Sequence, residues 1–366
     1  MTVLGRYILQ HTAVRVLVVL FTFLAFALVF DLMDAGPEMV QEGRLALGQM
    51  GWYALLRLPS LAAELLPFAV VIGALFAVAE LVRRHELVAL WGASLSPAAV
   101  AARLWPLALV LVAFKLVNDD LLVPRAADSL RAWGVGPFAH VFGRSGELLW
   151  ARVGGAVLRV DARAVREGRL ERVGVFRLDG NGVLVERIEA ERARVVADGL
   201  ELARLVRYPV GTGRAIREDR MRLPGSVDLE VLKLMARPAA ELSLGELARV
   251  LAAEGFGIGP SDPYRTWWHH RLAGAAVPAL FLILPFLLAR EFHRAGGLLR
   301  LAAQAIAVAF VYQIISGLLV ALGEGGFLPP PLAAWLPPLT LALALALLAL
   351  RAEGGGSPAL RHAQPA

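Results

Sequence analysis

One short polar stretch has residue types suited to a protein–protein contact: RRHELVALWGAS, which begins at Arg83 and Arg84 between two long apolar segments. Glu86 can accept charge-assisted hydrogen bonds from an arginine on another protein. Residues spaced i, i+3 and i+4 share one face of a helix. Three apolar side chains of the stretch have this spacing: Leu87, Leu90 and Trp91. The pattern predicts either a helix that docks on a partner or an ordinary basic loop that lies in the lipid interface.

Four cations lie in or beside apolar segments and are candidates for binding an anion: Arg44, Arg57, Lys115 and Arg271. Ionisable residues within apolar spans are functional candidates by default, and guanidinium groups match the geometry of phosphate. Structural alternatives exist for these cations. Lys115 is four residues before Asp119 and Arg57 is seven before Glu64, so either could form an ion pair along its own helix. Arg271 could equally anchor the chain at the lipid headgroups.

The sequence contains no motif of a hydrolase, a metalloprotease or a nucleotide-binding loop. GxSxG and HExxH are absent, and neither Lys115 nor Lys233 follows the GxxxxGK[ST] pattern. The adjacent His269 and His270 would point to different sides of a helix, which makes a poor metal pair. Cysteine is absent as well, which excludes disulfides and thiolate chemistry. We therefore expect no cofactor and no metal, and any nucleotide energy would have to come from another subunit.

The composition indicates an integral membrane protein. Of the 366 residues, 58% are hydrophobic, whereas soluble domains have about 45–50%. The formal net charge of +6 comes almost entirely from arginine. In a membrane protein such a charge mainly reports the flanks of the spans, and it is not evidence for a nucleic-acid partner. Charged residues concentrate in residues 141–230, which indicates a water-exposed insert between two membrane halves.

Six apolar segments are candidates for crossing a bilayer, which needs about 20 residues per helix. They cover residues 13–33, 52–82, 104–123, 268–288, 298–322 and 332–350. The first could instead be the core of a signal peptide, because its uninterrupted apolar run, residues 16–30, is short. Arginines concentrate on one side of the predicted spans. The positive-inside rule therefore places both termini in the cytoplasm and residues 125–265 outside.

The insert has the alternation of β-strands. The run VGVFRLDGNGVLVERIEAERARVVADGLELARLVRYPV contains DGNG and ADG turns between alternating segments. Several short antiparallel strands predict a sandwich or a jelly roll. After the strands, Ser243 and Glu246 have the spacing of a capping box, which predicts a short helix that leads back to the membrane.

The order of three spans, a β-rich insert and three more spans resembles the LptF/LptG permeases of the lipopolysaccharide exporter. The likeness is strongest in LLPFAVVIGALFAVAELVRRHELVALWGASLSP, residues 65–97, which looks like the family's second span and the charged loop after it. LWARVGGAVLRVDA is similar to the start of the family's jelly roll. LSLGELARVLAAEGFGIGPSDPYRTWWHHRLAGAAVPALFLILP is similar to its return into the fourth span. The segments DLMDAG and LLRLPSLAAELLP look more like LptG than LptF.

The resemblance implies a polytopic α-helical membrane protein with six transmembrane helices and a periplasmic β-jelly-roll domain between helices 3 and 4. Residues 1–124 would form helices 1–3, with a cytoplasmic coupling helix at about 83–95. Residues 125–265 would form the jelly roll and a linker helix, and residues 266–353 would form helices 4–6. Residues 354–366 would be a flexible cytoplasmic tail.

The same resemblance implies partners and a substrate. The partners would be a paired LptF or LptG permease, an LptB ATPase dimer docked on the coupling helix, and LptC. Lipopolysaccharide would enter sideways from the outer leaflet of the inner membrane and pass through the jelly roll towards LptC and LptA. In this sequence, acids stand where the best-known members have lysines after span one: Asp31, Asp34, Glu38 and Glu42. This departure puts anion binding at that place in doubt.

Two other classes of function are compatible with the sequence. The chain could be a membrane scaffold that transports nothing and whose β domain binds a protein. It could also be a membrane enzyme with the insert as its catalytic domain, although the missing motifs speak against this. Co-purification of an ATPase would separate the permease from the scaffold.

Overall fold

A computed structural model of the chain describes residues 3–41, 47–86, 89, 95–133, 148–153, 155–196, 198–211, 213–225, 227–253, 261–289 and 297–354. The chain divides into two compact units. The helical unit comprises Met1–Ala132, His269–Gly323 and Phe327–Ala366. The β unit comprises Trp133–Trp268 and Glu324–Gly326.

The α-helices of the described residues, in chain order, are α1 (Val3–Gln41), α2 (Leu47–Arg83), α3 (Pro97–Ala102), α4 (Trp105–Val117), α5 (Val123–Trp133), α6 (Ala162–Arg166), α7 (Leu229–Met235), α8 (Leu244–Ala252), α9 (Asp262–Gly274), α10 (Val277–Leu288), α11 (Gly297–Glu324) and α12 (Pro330–Gly354). A π-helical turn, Asn118–Leu122, joins α4 to α5. A 3-10 turn, Ala239–Glu241, precedes α8.

Four helices of the described residues are long and apolar enough to cross a membrane: Val3–Pro37 in α1, Gly48–Arg83 in α2, Gly297–Glu324 and Pro330–Arg351. Helices α9 and α10 add a fifth candidate, bent by 41° between Gly274 and Val277. Pro278 accounts for the bend, because proline has no backbone N–H and cannot continue the hydrogen-bond ladder of a preceding helix. The chain is therefore a protein of several apolar helices, as its composition predicts.

The prediction of six spans is not confirmed, and the difference lies at residues 104–123. This segment corresponds to α4, the π-helical turn and the first residue of α5. The turn changes the hydrogen-bond pattern at Asn118, so α4 alone is a helix of only 13 residues. Hydropathy did not predict this change, because a π-helical turn depends on how a helix packs and on its polar neighbours.

Helix α2 is the centre of the helical unit, where it lies against α1 and α10. The side chains of Ala69, Val70 and Ala74 are buried in this contact region. Gly73 allows the closest approach of α1, since a Cβ added there would be 2.5 Å from the Cα of Val16. Small residues at helix crossings are typical of membrane proteins, where close packing replaces the hydrophobic drive between helices.

The described residues of the β unit form one antiparallel sheet. Its strands are β1 (Leu148–Val153), β2 (Ala156–Asp161), β3 (Leu170–Leu178), β4 (Leu184–Val196), β5 (Gly199–Pro209) and β6 (Ile216–Pro224). Each strand pairs with its neighbour in the chain, in the order β1-β2-β3-β4-β5-β6. The predicted jelly roll is not confirmed, because a two-sheet jelly roll needs Greek-key crossovers. Neighbouring strands pair directly even where helix α6 lies between β2 and β3, and alternation alone does not determine which strands pair.

A kink crosses the middle of this sheet. Arg172 on β3 and Arg204 on β5 adopt left-handed backbone conformations, with φ of 53° and 51°. The strand register pairs the residues on either side of these arginines but skips the arginines themselves. The register is the same on both sides of each arginine, because Glu191 on β4 is skipped together with them, so the left-handed backbone itself and not an added residue reverses the side-chain alternation. On β3 the buried side chains therefore pass from Leu170 to Val173, three residues on, and one apolar face continues across the kink.

The capping box predicted after the strands is confirmed at the start of α8. The Ser243 hydroxyl accepts from the backbone N–H of Glu246 at 3.2 Å, and the Glu246 carboxylate accepts from the backbone N–H of Ser243 at 2.8 Å. Arg237 donates to the same carboxylate at 3.0 Å. The buried face of α8 packs Leu247 and Val250 against aromatic side chains of α9. The first turn of this helix is thus fixed both by its cap and by its core.

Candidate functional site

Helices α1 and α2 share a buried ion pair between Asp31 and Arg57. The Nε of Arg57 lies 2.9 and 2.8 Å from the two carboxylate oxygens of Asp31, and its Nη2 donates to the same carboxylate. The hydroxyl of Tyr53, a fully buried residue, donates to Asp31 at 2.7 Å. Only 12% of the Arg57 side chain and 11% of the Asp31 side chain are exposed. The cluster joins two helices and leaves little of either charge in contact with solvent.

This geometry changes the partner that the sequence suggested for Arg57. The predicted pair was Glu64, seven residues on in the same helix, whereas the carboxylate in contact is Asp31, 26 residues earlier. One of the acids that stand in place of the family's lysines is therefore engaged by an arginine. Beside it lies a cavity of about 610 Å³ lined by Ala27, Phe30, Asp31, Met33, Asp34 and Leu61.

A second polar cluster forms around the π-helical turn. Lys115 forms the predicted ion pair with Asp119 at 2.7 Å, and its Nζ also donates to the backbone carbonyl of Ala63 at 2.9 Å. That carbonyl has no helical donor, because the residue four positions on, Pro67, lacks an N–H. The lysine therefore satisfies both a carboxylate and the carbonyl that the proline leaves open.

Two further side chains tie the same turn to its neighbours. The amide of Asn118 donates to the carbonyl of Pro59 at 3.0 Å. Arg271, on α9, donates to the backbone carbonyl of Asp119 and is buried, with 7% of its surface exposed. Arg271, one of the four candidate cations, thus joins α9 to the π-helical turn. Polar groups buried among apolar helices need such partners, and here each joins two segments of the helical unit.

The polar stretch after α2 is described only in part. Arg83 and Arg84 bind Glu80, at 2.7 and 2.6 Å, one turn back in their own helix. Glu86 accepts a hydrogen bond from the hydroxyl of Tyr7. The remaining predicted residues of the stretch, Leu87, Leu90 and Trp91, lie outside the described residues, as does Arg44.

Sequence reasoning missed several members of these clusters. Glu80 could have been found, because it is three and four residues before the two arginines. Asn118 carried a weaker signal, as an amide next to the Lys115–Asp119 pair. Tyr7 and Tyr53 had none, since their partners lie 79 and 22 residues away. Among the described residues, no group of three or more His, Asp and Glu side chains could hold a metal ion.

The apolar helices and the sheet between them agree with the comparison to known families. A family model described as the lipopolysaccharide export system permease LptF/LptG matches residues 6–351. The chain belongs to the LptF/LptG family. The match covers nearly the whole chain and confirms the resemblance carried by residues 65–97 and by the segments around the insert. A search of curated proteins finds no match to the chain.

As an LptF/LptG permease, the chain is a membrane component of the lipopolysaccharide export system. Its apolar helices accord with an integral protein of the inner membrane. In a permease of this family, the two clusters belong to the membrane part of the protein. Both lie in the helical unit, and both involve α2, the helix that comes directly before the polar stretch.

Proposed function

We propose that this chain extracts lipopolysaccharide from the outer leaflet of the inner membrane and passes it through its β unit to an LptC/LptA bridge. A separate LptB ATPase dimer would drive the transport, and a related permease, LptF or LptG, would complete the cavity. The observation that carries the proposal is the family match over residues 6–351, which includes both apolar segments and the sheet between them. The motif likeness to LptG makes LptF the preferred second permease.

The proposed topology has six spans, with α4, the π-helical turn and the first residue of α5, residues 104–123, as the third. Both termini and the stretch at 83–95 would be cytoplasmic, and the β unit would be periplasmic. Arginine asymmetry supports this orientation, since arginines are retained on the cytoplasmic side of a membrane. The ion pair of Lys115 with Asp119 makes the third span less costly to insert, because it neutralises two charges within the helix.

We propose the stretch at 83–95 as the coupling helix that docks on LptB. Arg83, Arg84 and Glu86 would supply charged contacts, and Leu87, Leu90 and Trp91 the apolar face. The side chains of Arg83 and Arg84 are 75% and 57% exposed despite their bonds to Glu80, which supports a role in an interface. The stretch follows α2 directly, so a force on it would reach the helix that packs on α1.

For contact with the lipid we propose Arg57 first, ahead of Arg44, Lys115 and Arg271. Arg57 is bonded to Asp31, which lines the 610 Å³ cavity beside α1. A lipid phosphate could bind the same guanidinium group alongside the Asp31 carboxylate, because a guanidinium group has five N–H donors and both anions accept bidentate hydrogen bonds from it. Lys115 and Arg271 are weaker candidates, since each already donates to a buried carbonyl in the helical unit.

The test is reconstitution of the chain with LptB, a paired permease and LptC in proteoliposomes that contain lipopolysaccharide. We expect ATP-dependent transfer of lipopolysaccharide to added LptA, and we expect Trp91→Ala to reduce both LptB binding and transfer. Trp105→Ala is a matched control, because Trp105 is an exposed tryptophan at the start of α4. Lipopolysaccharide transfer that does not require LptB, or ATP hydrolysis by the full complex that moves no lipid, would contradict the proposal.

A further inference from the structure

The beginning of α1 contacts the polar stretch after α2 through one hydrogen bond. The hydroxyl of Tyr7 lies 2.8 and 3.1 Å from the two carboxylate oxygens of Glu86. The Tyr7 ring stacks on His11, one turn further along α1, with 5.6 Å between ring centroids and an interplanar angle of 29°. This contact orients the phenol from its own helix, so its direction does not depend on Glu86 alone.

The backbone before Glu86 also fixes the direction of the carboxylate. Helix α2 ends at Arg83, and His85 adopts a left-handed conformation with φ of 60°. Its N–H donates to the carbonyl of Val82 at 3.0 Å. A left-handed residue is a common way to end a helix, and histidine is among the side chains that tolerate it. The neighbouring Arg83 and Arg84 bind Glu80 and not Glu86.

The phenol of Tyr7 occupies the position from which an arginine would bind the Glu86 carboxylate. An arginine binds a carboxylate most strongly with two parallel N–H···O bonds, one to each oxygen. The Tyr7 hydroxyl stands in front of both oxygens of Glu86, at the edge where a guanidinium fork would bind. Tyr7 and a bidentate arginine therefore compete for one carboxylate.

We propose that Tyr7 is a positioning residue for Glu86, which holds the carboxylate against α1 until an arginine of the docking ATPase displaces the phenol. This inference rests on the proposed function, because it requires the stretch at 83–95 to be the docking site. Tyr7 is 39% exposed, so its bond can exchange with water and with a partner. Docking of the ATPase would then free the cytoplasmic end of α1, and the position of α1 would in turn set the affinity for the ATPase.

The experiment is a titration of the reconstituted permease pair, in lipid nanodiscs, with purified LptB. The half-saturating LptB concentration and the maximal ATPase rate are measured for the unchanged chain, Tyr7→Phe, Glu86→Ala and the double variant. We expect Tyr7→Phe to lower the half-saturating concentration about threefold, because more of the permease is ready to dock, with the maximal rate unchanged. Glu86→Ala should raise it, and Tyr7→Phe should add nothing in that background.

Tyr208→Phe is the matched control, since Tyr208 is an exposed tyrosine of the β unit and should leave both parameters unchanged. A second readout follows the helix itself. The chain has no cysteine, so spin labels can be attached at Val3→Cys on α1 and at Phe76→Cys on α2, two exposed positions outside the docking stretch. Their distance distribution should broaden when LptB is added, and it should already be broad in Tyr7→Phe without LptB.

The outcomes separate this inference from the proposed function. If Glu86→Ala impairs docking but Tyr7→Phe titrates like the unchanged chain, the positioning role is wrong and the docking site stands. If Glu86→Ala docks normally, both the docking role of Glu86 and the inference fail. A lower maximal rate in Tyr7→Phe would indicate a structural role of the phenol and would also overturn the inference.

Discussion

Helices α1 and α2 are joined by a polar contact at each end, and the two contacts differ in burial. At one end, Asp31 accepts hydrogen bonds from Arg57 and Tyr53, and little of the ion pair is exposed. At the other end, among the described residues, Glu86 accepts a hydrogen bond from the hydroxyl of Tyr7, an exposed residue. The same helix pair therefore carries one charge that is enclosed by protein and one that faces water.

The difference in burial determines which contact can open. Removing one partner of a buried ion pair leaves an uncompensated charge, which is strongly unfavourable. An exposed charge that loses its partner is solvated by water at little cost. We infer that the Asp31 end holds the helices together, whereas the Glu86 end can be exchanged for a partner protein. The four predictions below compare buried contacts with more exposed or less crowded controls, from the largest expected effect to the smallest.

Arg57→Ala should lower the free energy of unfolding by about 3–5 kcal/mol, because it leaves the Asp31 carboxylate buried without its cation. Thermal unfolding of the purified permease in detergent measures this effect. Arg57→Ala combined with Asp31→Asn should recover part of the loss, since the double variant has no buried charge. Glu64→Ala is the control, because Glu64 was the partner expected from sequence. A larger loss for Glu64→Ala than for Arg57→Ala would contradict the assignment.

Lys115→Met should lower the free energy of unfolding by about 2–3 kcal/mol, because Asp119 and the carbonyl of Ala63 both lose a buried donor. The chain has only one other lysine, Lys233. It pairs with Glu230, whose side chain is 71% exposed, so Lys233→Met is a matched control with an expected change of about 0.5 kcal/mol. If the two variants lower thermal stability in detergent equally, then the burial of Lys115 does not increase its contribution to stability.

Gly73→Ala should lower the free energy of unfolding by about 1–3 kcal/mol, because the new methyl group forces α1 and α2 apart at Val16. Gly73 lies between the two polar contacts of α1 and α2, so the variant tests whether close packing between these contacts contributes to stability. Gly51→Ala is the control, since nothing lies within 4 Å of a Cβ at that position of α2. If Gly73→Ala is as stable as Gly51→Ala, then the helices can separate at this point without loss.

Glu246 is a carboxylate of the β unit that also binds an arginine and a hydroxyl-bearing residue. Burial opposes its ionisation, but the backbone hydrogen bond from Ser243 and the charge of Arg237 outweigh burial, so the pKa of Glu246 lies below its ordinary value. A lowered pKa means that the ionised carboxylate stabilises the folded state. This contribution is complete above the ordinary glutamate pKa of about 4.3 and is lost as the pH falls through the lowered value.

Glu246→Gln should therefore lower the free energy of unfolding by about 1 kcal/mol at pH 7 and by less near pH 3. Unfolding midpoints of the full chain in detergent, measured across this range, test the sign. Glu230→Gln is the control, because that carboxylate is mostly exposed. A difference that grew as the pH fell would contradict the direction of the pKa shift.

Local features of the fold could be predicted because they depend on spacing along the chain. The capping box of Ser243 and Glu246 joins residues three positions apart, and the Lys115–Asp119 pair joins residues one helical turn apart. The apolar segments of α1, α2, α11 and α12 are visible in composition alone. The family likeness of residues 65–97 is likewise a property of the sequence, and the family match confirms it.

The tertiary structure decided every contact between helices, because such contacts depend on how each helix is rotated and shifted against its neighbour. Sequence spacing predicted Glu64 as a partner of Arg57, but the crossing of α1 and α2 brings Asp31 into contact with Arg57. The same antiparallel arrangement brings Tyr7 to Glu86, and the missing N–H of Pro67 leaves Lys115 a carbonyl to bind. Alternation predicted strands, but only their pairing produced an open meander. Apolar surface is a property of each segment, whereas a buried polar contact needs two segments placed to within about an ångström.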